Sequence, residues 1–218
     1  RGVPAHPLCN GRGSTRAEAT TIERRMRIGT WNVEYAAGVD KNTLRLARLQ
    51  AENADIWVLT ETHDDLDLSA THRAVSTVQR PTGRVGGRWT TIWTGWPVRQ
   101  IVAVDDPVRT TAALIDAPSG PLLVYGTVLP WGTDPGPEGT ARGWTEMDRV
   151  LPLQLAEWRR LRQQFPDAAL VVAGDFNLNL GGPHYYGTQR GRDALRAGLG
   201  ELHLGCATEW DRIPAGKL

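Results

Sequence analysis

Apolar and polar positions are arranged so that several short runs end in a carboxylate or a carboxamide. The run at residues 168–173 stops at Gly174 and is followed by Asp175, Phe176 and Asn177. In an extended chain, alternation turns Asp175 and Asn177 to one side and Phe176 to the other. Residues 27–34 alternate Ile28, Thr30 and Asn32 against Gly29, Trp31 and Val33. Residues 55–62 are apolar from Ile56 to Leu59 and then reach Thr60 and Glu61. These runs predict strands that end in Asn32, in Glu61 and in the Asp175/Asn177 pair.

The remaining pattern supplies the elements between them. After a loop at Ala37 and Gly38, Asp40 is placed as a helix N-cap, with Leu44, Ala47, Leu49 and Ala51 lining one side of a helix to about Asn53. From Thr71 to Val128, runs rich in Val, Ile, Thr and Trp are separated by turn clusters, which predicts consecutive antiparallel strands. Residues 131–143 form a Gly/Pro-rich loop long enough to face a substrate. Met147, Leu151, Leu155, Trp158, Leu161 and Phe165 recur at helical spacing, with Pro152 expected to kink that helix or sit in its first turn. A short helix is expected near residues 193–197. No repeat or coiled-coil pattern occurs.

Composition narrows the class. At 218 residues, 40% hydrophobic and 22% charged, the chain suits one soluble domain with a sizeable core. Five arginines against two glutamates make the first 25 residues basic, so the rest of the chain is mildly acidic despite a net charge of +1. An acidic body is not the footprint of a strong, non-specific duplex DNA binder. The arginine clusters at 159–162 and 190–196 read as solvated helix faces. Among the nine tryptophans, Trp57 is expected in a core strand, and Trp89, Trp93 and Trp96 are candidates for a groove. Two cysteines, Cys9 and Cys206, imply no disulfide framework. There is no membrane-span pattern, and a cytoplasmic monomer is the default; a leader upstream of Arg1 would redirect the protein to secretion. Residues 1–25 lack apolar periodicity and read as a disordered or non-native leader, with Met26 as the start of a domain covering 26–218.

A carboxylate and neutral amides on neighbouring strand ends suit a hard, oxygen-ligated cation such as Mg2+. Each residue also has a plainer explanation, Asp175 as a turn cap for example. Their recurrence at three strand ends favours a site.

That constellation, TWN (residues 30–32), TET (60–62) and GDFN (174–177), resembles the endonuclease/exonuclease/phosphatase superfamily, with its deoxyribonuclease I-like fold. The resemblance covers Arg27 to the C-terminus. It implies a four-layer α/β/β/α sandwich, two packed and mostly antiparallel sheets flanked by helices. It also implies a phosphoesterase dependent on Mg2+, with Mn2+ as the alternative ion, in which water attacks phosphorus directly. By that resemblance Glu61 and Asn32 serve the metal, Asp175 orients or deprotonates the water, and Asn177 donates to the phosphate. Thr127 stands near a slot the family fills with His or Tyr, and Trp131 is placed to stack on a base or sugar. The substrate is a phosphoester, nucleic acid included; nuclease and small-molecule or lipid-headgroup phosphatase are not separated by fold alone. The family's further Asp and terminal Ser-Asp-His motif do not occur after Asn177. The domain is therefore expected to lack its last strands and to be inactive as it stands. The alternative is a degenerate member that binds a phosphorylated ligand or a protein partner.

Overall fold

The computed structural model describes residues 25–81, 83–182 and 185–208. In chain order they form β1 (Ile28–Asn32), α1 (Val39–Glu52), β2 (Ile56–His63), β3 (Arg73–Ser76), β4 (Gly87–Thr94), β5 (Val98–Val102), β6 (Thr110–Ala117), β7 (Gly120–Val128), α2 (Thr145–Gln164), β8 (Ala169–Asp175) and α3 (Gln189–Glu201). The expected leader falls outside the described residues except for Arg25, and Cys9 lies outside them too.

The strands make two four-stranded sheets, ordered β1-β2-β4-β3 and β5-β6-β7-β8. Only β1–β2 and β7–β8 pair in parallel, and each of those connections runs through a helix, α1 or α2, as a parallel crossover requires. All other pairs are antiparallel. β1 and β8 are each an edge strand, and they lie against one another across the sandwich.

Alternation along β2 shows how the layers arise. Ile56 and Val58 pack between the sheets with Ile92, Ala113, Ile115 and Val124. Trp57 and Leu59 point the other way and pack with Leu49 and Trp93 under α1. On the second sheet, Leu123 and Tyr125 face Leu151, Trp158 and Leu195 of α2 and α3. The result is α/β/β/α. Ile56 and Val58 are fully buried, and each such side chain contributes roughly 1.5–3 kcal/mol.

Several expectations are corrected by packing. α1 begins on Gly38 with no side-chain cap, and Asp40 lies in its first turn. Its buried positions are Asn42 and Leu49, with Leu46 alongside, whereas Leu44 is exposed, so the inward face is rotated from the expected one. Pro152 lies inside α2, past the first turn and on its exposed side. α3 is longer than expected because Thr188 caps it, its hydroxyl accepting from Gly191 N at 3.0 Å. Of the proposed groove tryptophans, Trp93 is core under α1 and Trp96 packs between the sheets. No described helix is long and apolar enough to cross a membrane.

Candidate active site

Asn32 ends β1 on the face that Ile28 turns towards the second sheet. From there its carboxamide spans both sheets: Nδ2 donates to Glu61 Oε1 and to Asp175 Oδ2, each at 3.1 Å. Its Oδ1 accepts from Glu34 N at 3.0 Å, which fixes the amide's orientation. One neutral side chain thus holds two carboxylates from different sheets at a common point.

Strict alternation along β2 would send Glu61 the same way as Trp57 and Leu59, towards α1. Glu61 instead has φ +53, in the left-handed region that non-glycine residues seldom enter. Pairing with β4 runs to Thr60, omits Glu61 and resumes at Thr62. Beyond the irregularity the alternation is reset, and Thr62 meets Thr91 at 2.8 Å. Such local strain is kept only where the surroundings hold it in place, and here it delivers the carboxylate to Asn32.

The Asp175 end is built as tightly. Gly174 has φ +136, and a Cβ there would lie 1.9 Å from the Thr127 carbonyl oxygen, so only glycine lets β8 close on β7. Asp175 Oδ1 then accepts from Asn177 N at 3.0 Å, and Leu129 N donates to the Asp175 carbonyl at 2.8 Å. Asn177, at φ +48, gives one amide hydrogen to the Leu129 carbonyl at 2.8 Å and has a second to offer. Phe176 turns into the core against Trp158, as alternation predicts.

An aromatic wall adjoins the carboxylates. Tyr35 packs edge-on to Trp89 with centroids 5.9 Å apart, and Trp89 tilts against Trp131 at 5.4 Å. The Arg80 guanidinium carbon lies 3.9 Å from the Trp89 centroid and 4.2 Å from that of Tyr35. Arg109 also lies over Trp89 and is paired with buried Asp134 at 2.8 Å. Burial, then the charge of neighbouring Glu61, pushes the Tyr35 hydroxyl up to about 12, so it stays a neutral donor. Burial also raises the Glu61 carboxyl above its ordinary 4.5, and Asp175 adds to this; the Asn32 hydrogen bond and Arg80 pull the other way.

The model of the endonuclease/exonuclease/phosphatase family matches residues 29–216. The chain belongs to this family. Solved structures agree at the level of fold. The 3′ phosphatase NExo from Neisseria, bound to a product DNA hairpin, is 18% identical with a TM-score of 0.57, over 82% of this chain and 71% of that one. The endonuclease domain of the telomere-specific non-LTR retrotransposon TRAS1 is 13% identical with a TM-score of 0.56, over 81% and 72%. Truncated TDP2 from Caenorhabditis elegans is 16% identical with a TM-score of 0.54, over 70% of this chain and 62% of that one. No curated protein matches by sequence.

Of the residues the family resemblance singled out, Asn32, Glu61, Asp175 and Asn177 converge, and Trp131 joins the aromatic wall. Thr127 does not. It is fully buried and its hydroxyl donates to Gln154 Oε1 on α2 at 2.9 Å, on the opposite side of β7 from the inter-sheet face. Sequence reading missed Tyr35 and Arg80. Tyr35 was detectable by its place three residues after Asn32, whereas Arg80 reaches Glu61 only through the pairing of β2, β4 and β3.

A family phosphoesterase would use a divalent cation, and the donors here fit one. Among the described residues no three His, Cys, Asp or Glu side chains gather into a ready cage. Glu61 and Asp175 are nonetheless hard oxygen donors held close by one amide, with Glu61 disfavoured as an anion by burial and by its neighbour. A cation would relieve both effects. One or two carboxylates, with water and phosphate completing the shell, is the habit of Mg2+.

Proposed function

We propose that this chain is a divalent-metal-dependent phosphoester hydrolase in which water attacks phosphorus directly, and, against the inactivity expected from its sequence, that the meeting of Asn32, Glu61, Asp175 and Asn177 is enough for turnover. The observation that carries this reading is the Asn32 carboxamide bonded to Glu61 and Asp175 at once. Glu61 would hold Mg2+ or Mn2+, with Asn32 fixing the carboxylate's orientation. The ion, when bound, would neutralise charge on a phosphate oxygen and on the departing oxygen. Asp175, held by two donors, is the group to orient the attacking water and take its proton. Asn177, whose second amide hydrogen meets no acceptor among the described residues, would give it to a phosphate oxygen.

A nucleic acid strand is the substrate class favoured by the exposed ring of Tyr35 and the half-buried Trp131, backed by the buried Trp89, which suit an unpaired base better than a closed duplex. The fold likeness to a DNA-bound phosphatase is in keeping with this. The test is a hydrolysis panel of abasic DNA, single-stranded DNA, inositol phosphates and sphingomyelin, run with Mg2+ and with chelator. Chelator-sensitive turnover of at least one phosphoester supports the reading, and no turnover of any of them contradicts it.

A non-catalytic reading keeps one feature of the sequence, that the family's further Asp and Ser-Asp-His motif do not occur after Asn177. It predicts binding of phosphorylated ligands without turnover in the same panel.

A further inference from the structure

Beside Glu61 the loop after β1, the end of β2 and the β3–β4 connection enclose a cleft of about 280 Å³, lined by Tyr35, His63, Arg80 and Arg84 among others. The described residues of the connection are held by hydrogen bonds. Arg80 N donates to Gly87 O, Gly87 N to Arg84 O and Asp64 N to Gly86 O, each at 3.0 Å. His63 Nε2 lies 2.8 Å from the Val85 carbonyl, and Arg88 pairs with Asp64 at 2.6 Å. The cleft therefore has a defined wall.

The arginine charge in that wall acts on Glu61 but is held in no ion pair among the described residues. Several surface arginines are paired, Arg159 with Glu201, Arg160 with Asp105 and Glu157, and Arg190 with Asp148. Among the described residues no ion pair holds Arg80 or Arg84, and the buried Arg80 Nε has no hydrogen-bond partner. Arg80 is supported instead by the rings of Tyr35 and Trp89. Stacking occupies a guanidinium's faces and leaves the N–H groups in its plane for an oxyanion, a geometry that matches phosphate.

We propose that this cleft is a subsite for a second phosphoryl group, which Arg80 binds with Arg84 at the rim, selecting substrates that carry a phosphate next to the scissile one. The proposal rests on the phosphoesterase reading for the position of the first phosphate. Two sources share the required chemistry, a nucleotide strand and a polyol bearing vicinal phosphates.

The experiment is calorimetric titration of the full chain without divalent metal, so that nothing is turned over. Two ligand pairs are compared: a thymidine dinucleotide with and without a 5′-phosphate, and an inositol monophosphate with its vicinal bisphosphate. The wild type should prefer the more phosphorylated member of one pair by about tenfold or more, as expected for a charge-assisted hydrogen-bonded contact. The pair showing the preference identifies the source. Arg80→Met should abolish the preference, read as the ratio of the two affinities within a pair, whereas a merely structural arginine would weaken both members alike and leave that ratio as it was. Should Arg80→Met fail to fold, Arg84→Gln, at an exposed position, reads the same ratio and should reduce it. Equal affinity within both pairs, no binding in either, or a preference that survives both substitutions overturns the subsite. A preference that holds in a protein without hydrolytic activity leaves the subsite standing and faults the phosphoesterase reading.

Discussion

Asn32 and Asp175 stand on the edge strands of opposite sheets, 143 residues apart in sequence, and are joined by a 3.1 Å hydrogen bond from Nδ2 to Oδ2. The same nitrogen serves Glu61, so the amide sets the spacing of two carboxylates that would otherwise repel one another. The site therefore depends on how β1 and β8 are stacked.

Asn32→Ala removes both donors without opening the inter-sheet core. Turnover should fall by about 10–100-fold, the usual effect of losing a group that orients a metal ligand, with little change in thermal midpoint. Steady-state kinetics alongside a melting curve checks this. A wild-type rate would leave Asn32 a purely structural role.

Gly174→Ala should act on the fold itself. The added Cβ would meet backbone, the Thr127 carbonyl at 1.9 Å, so β8 must move away from β7. The expected loss is at least about 2 kcal/mol, read as a lower urea midpoint. Unchanged stability would mean that the β7–β8 contact is looser than described.

The strand ends were legible in sequence because each apolar run stops at a polar residue. The four layers were expected from the family resemblance, and the unbroken apolar run from Ile56 to Leu59 suits a strand covered on both faces. The orientation of Glu61 was not, since it depends on one left-handed residue that resets the alternation. Thr127 misled for a related reason: its place near a family slot says nothing about which face of β7 it occupies, and α2 claims that face through Gln154. Arg80 was invisible because its neighbours, Tyr35 and Trp89, are brought together only by strand pairing.

Glu157 gives the fold a pH signature separate from the site. Tyr125 Oη donates to its Oε2 and Asp105 N to its Oε1, each at 2.7 Å, yet burial dominates and raises its carboxyl above the ordinary 4.5. Because the folded value lies above the unfolded one, the stability this group contributes is complete below about pH 4.5 and is lost as pH rises through the folded value. Glu157→Gln does not titrate. The stability of wild type minus variant should therefore be largest in acid and decline towards neutral pH in parallel urea titrations. A difference independent of pH would contradict this assignment.

The most direct test of the account is Mg2+-dependent hydrolysis by the wild type and by Glu61→Gln, with metal titrated into both and folding verified by circular dichroism. Glu61→Gln keeps the side chain's size and the oxygen that accepts from Asn32, and it removes the charge a cation needs. Metal-dependent turnover is expected in the wild type and should fall at least about a hundredfold in the variant, with the fold unchanged. Equal metal-dependent turnover in both proteins would contradict it.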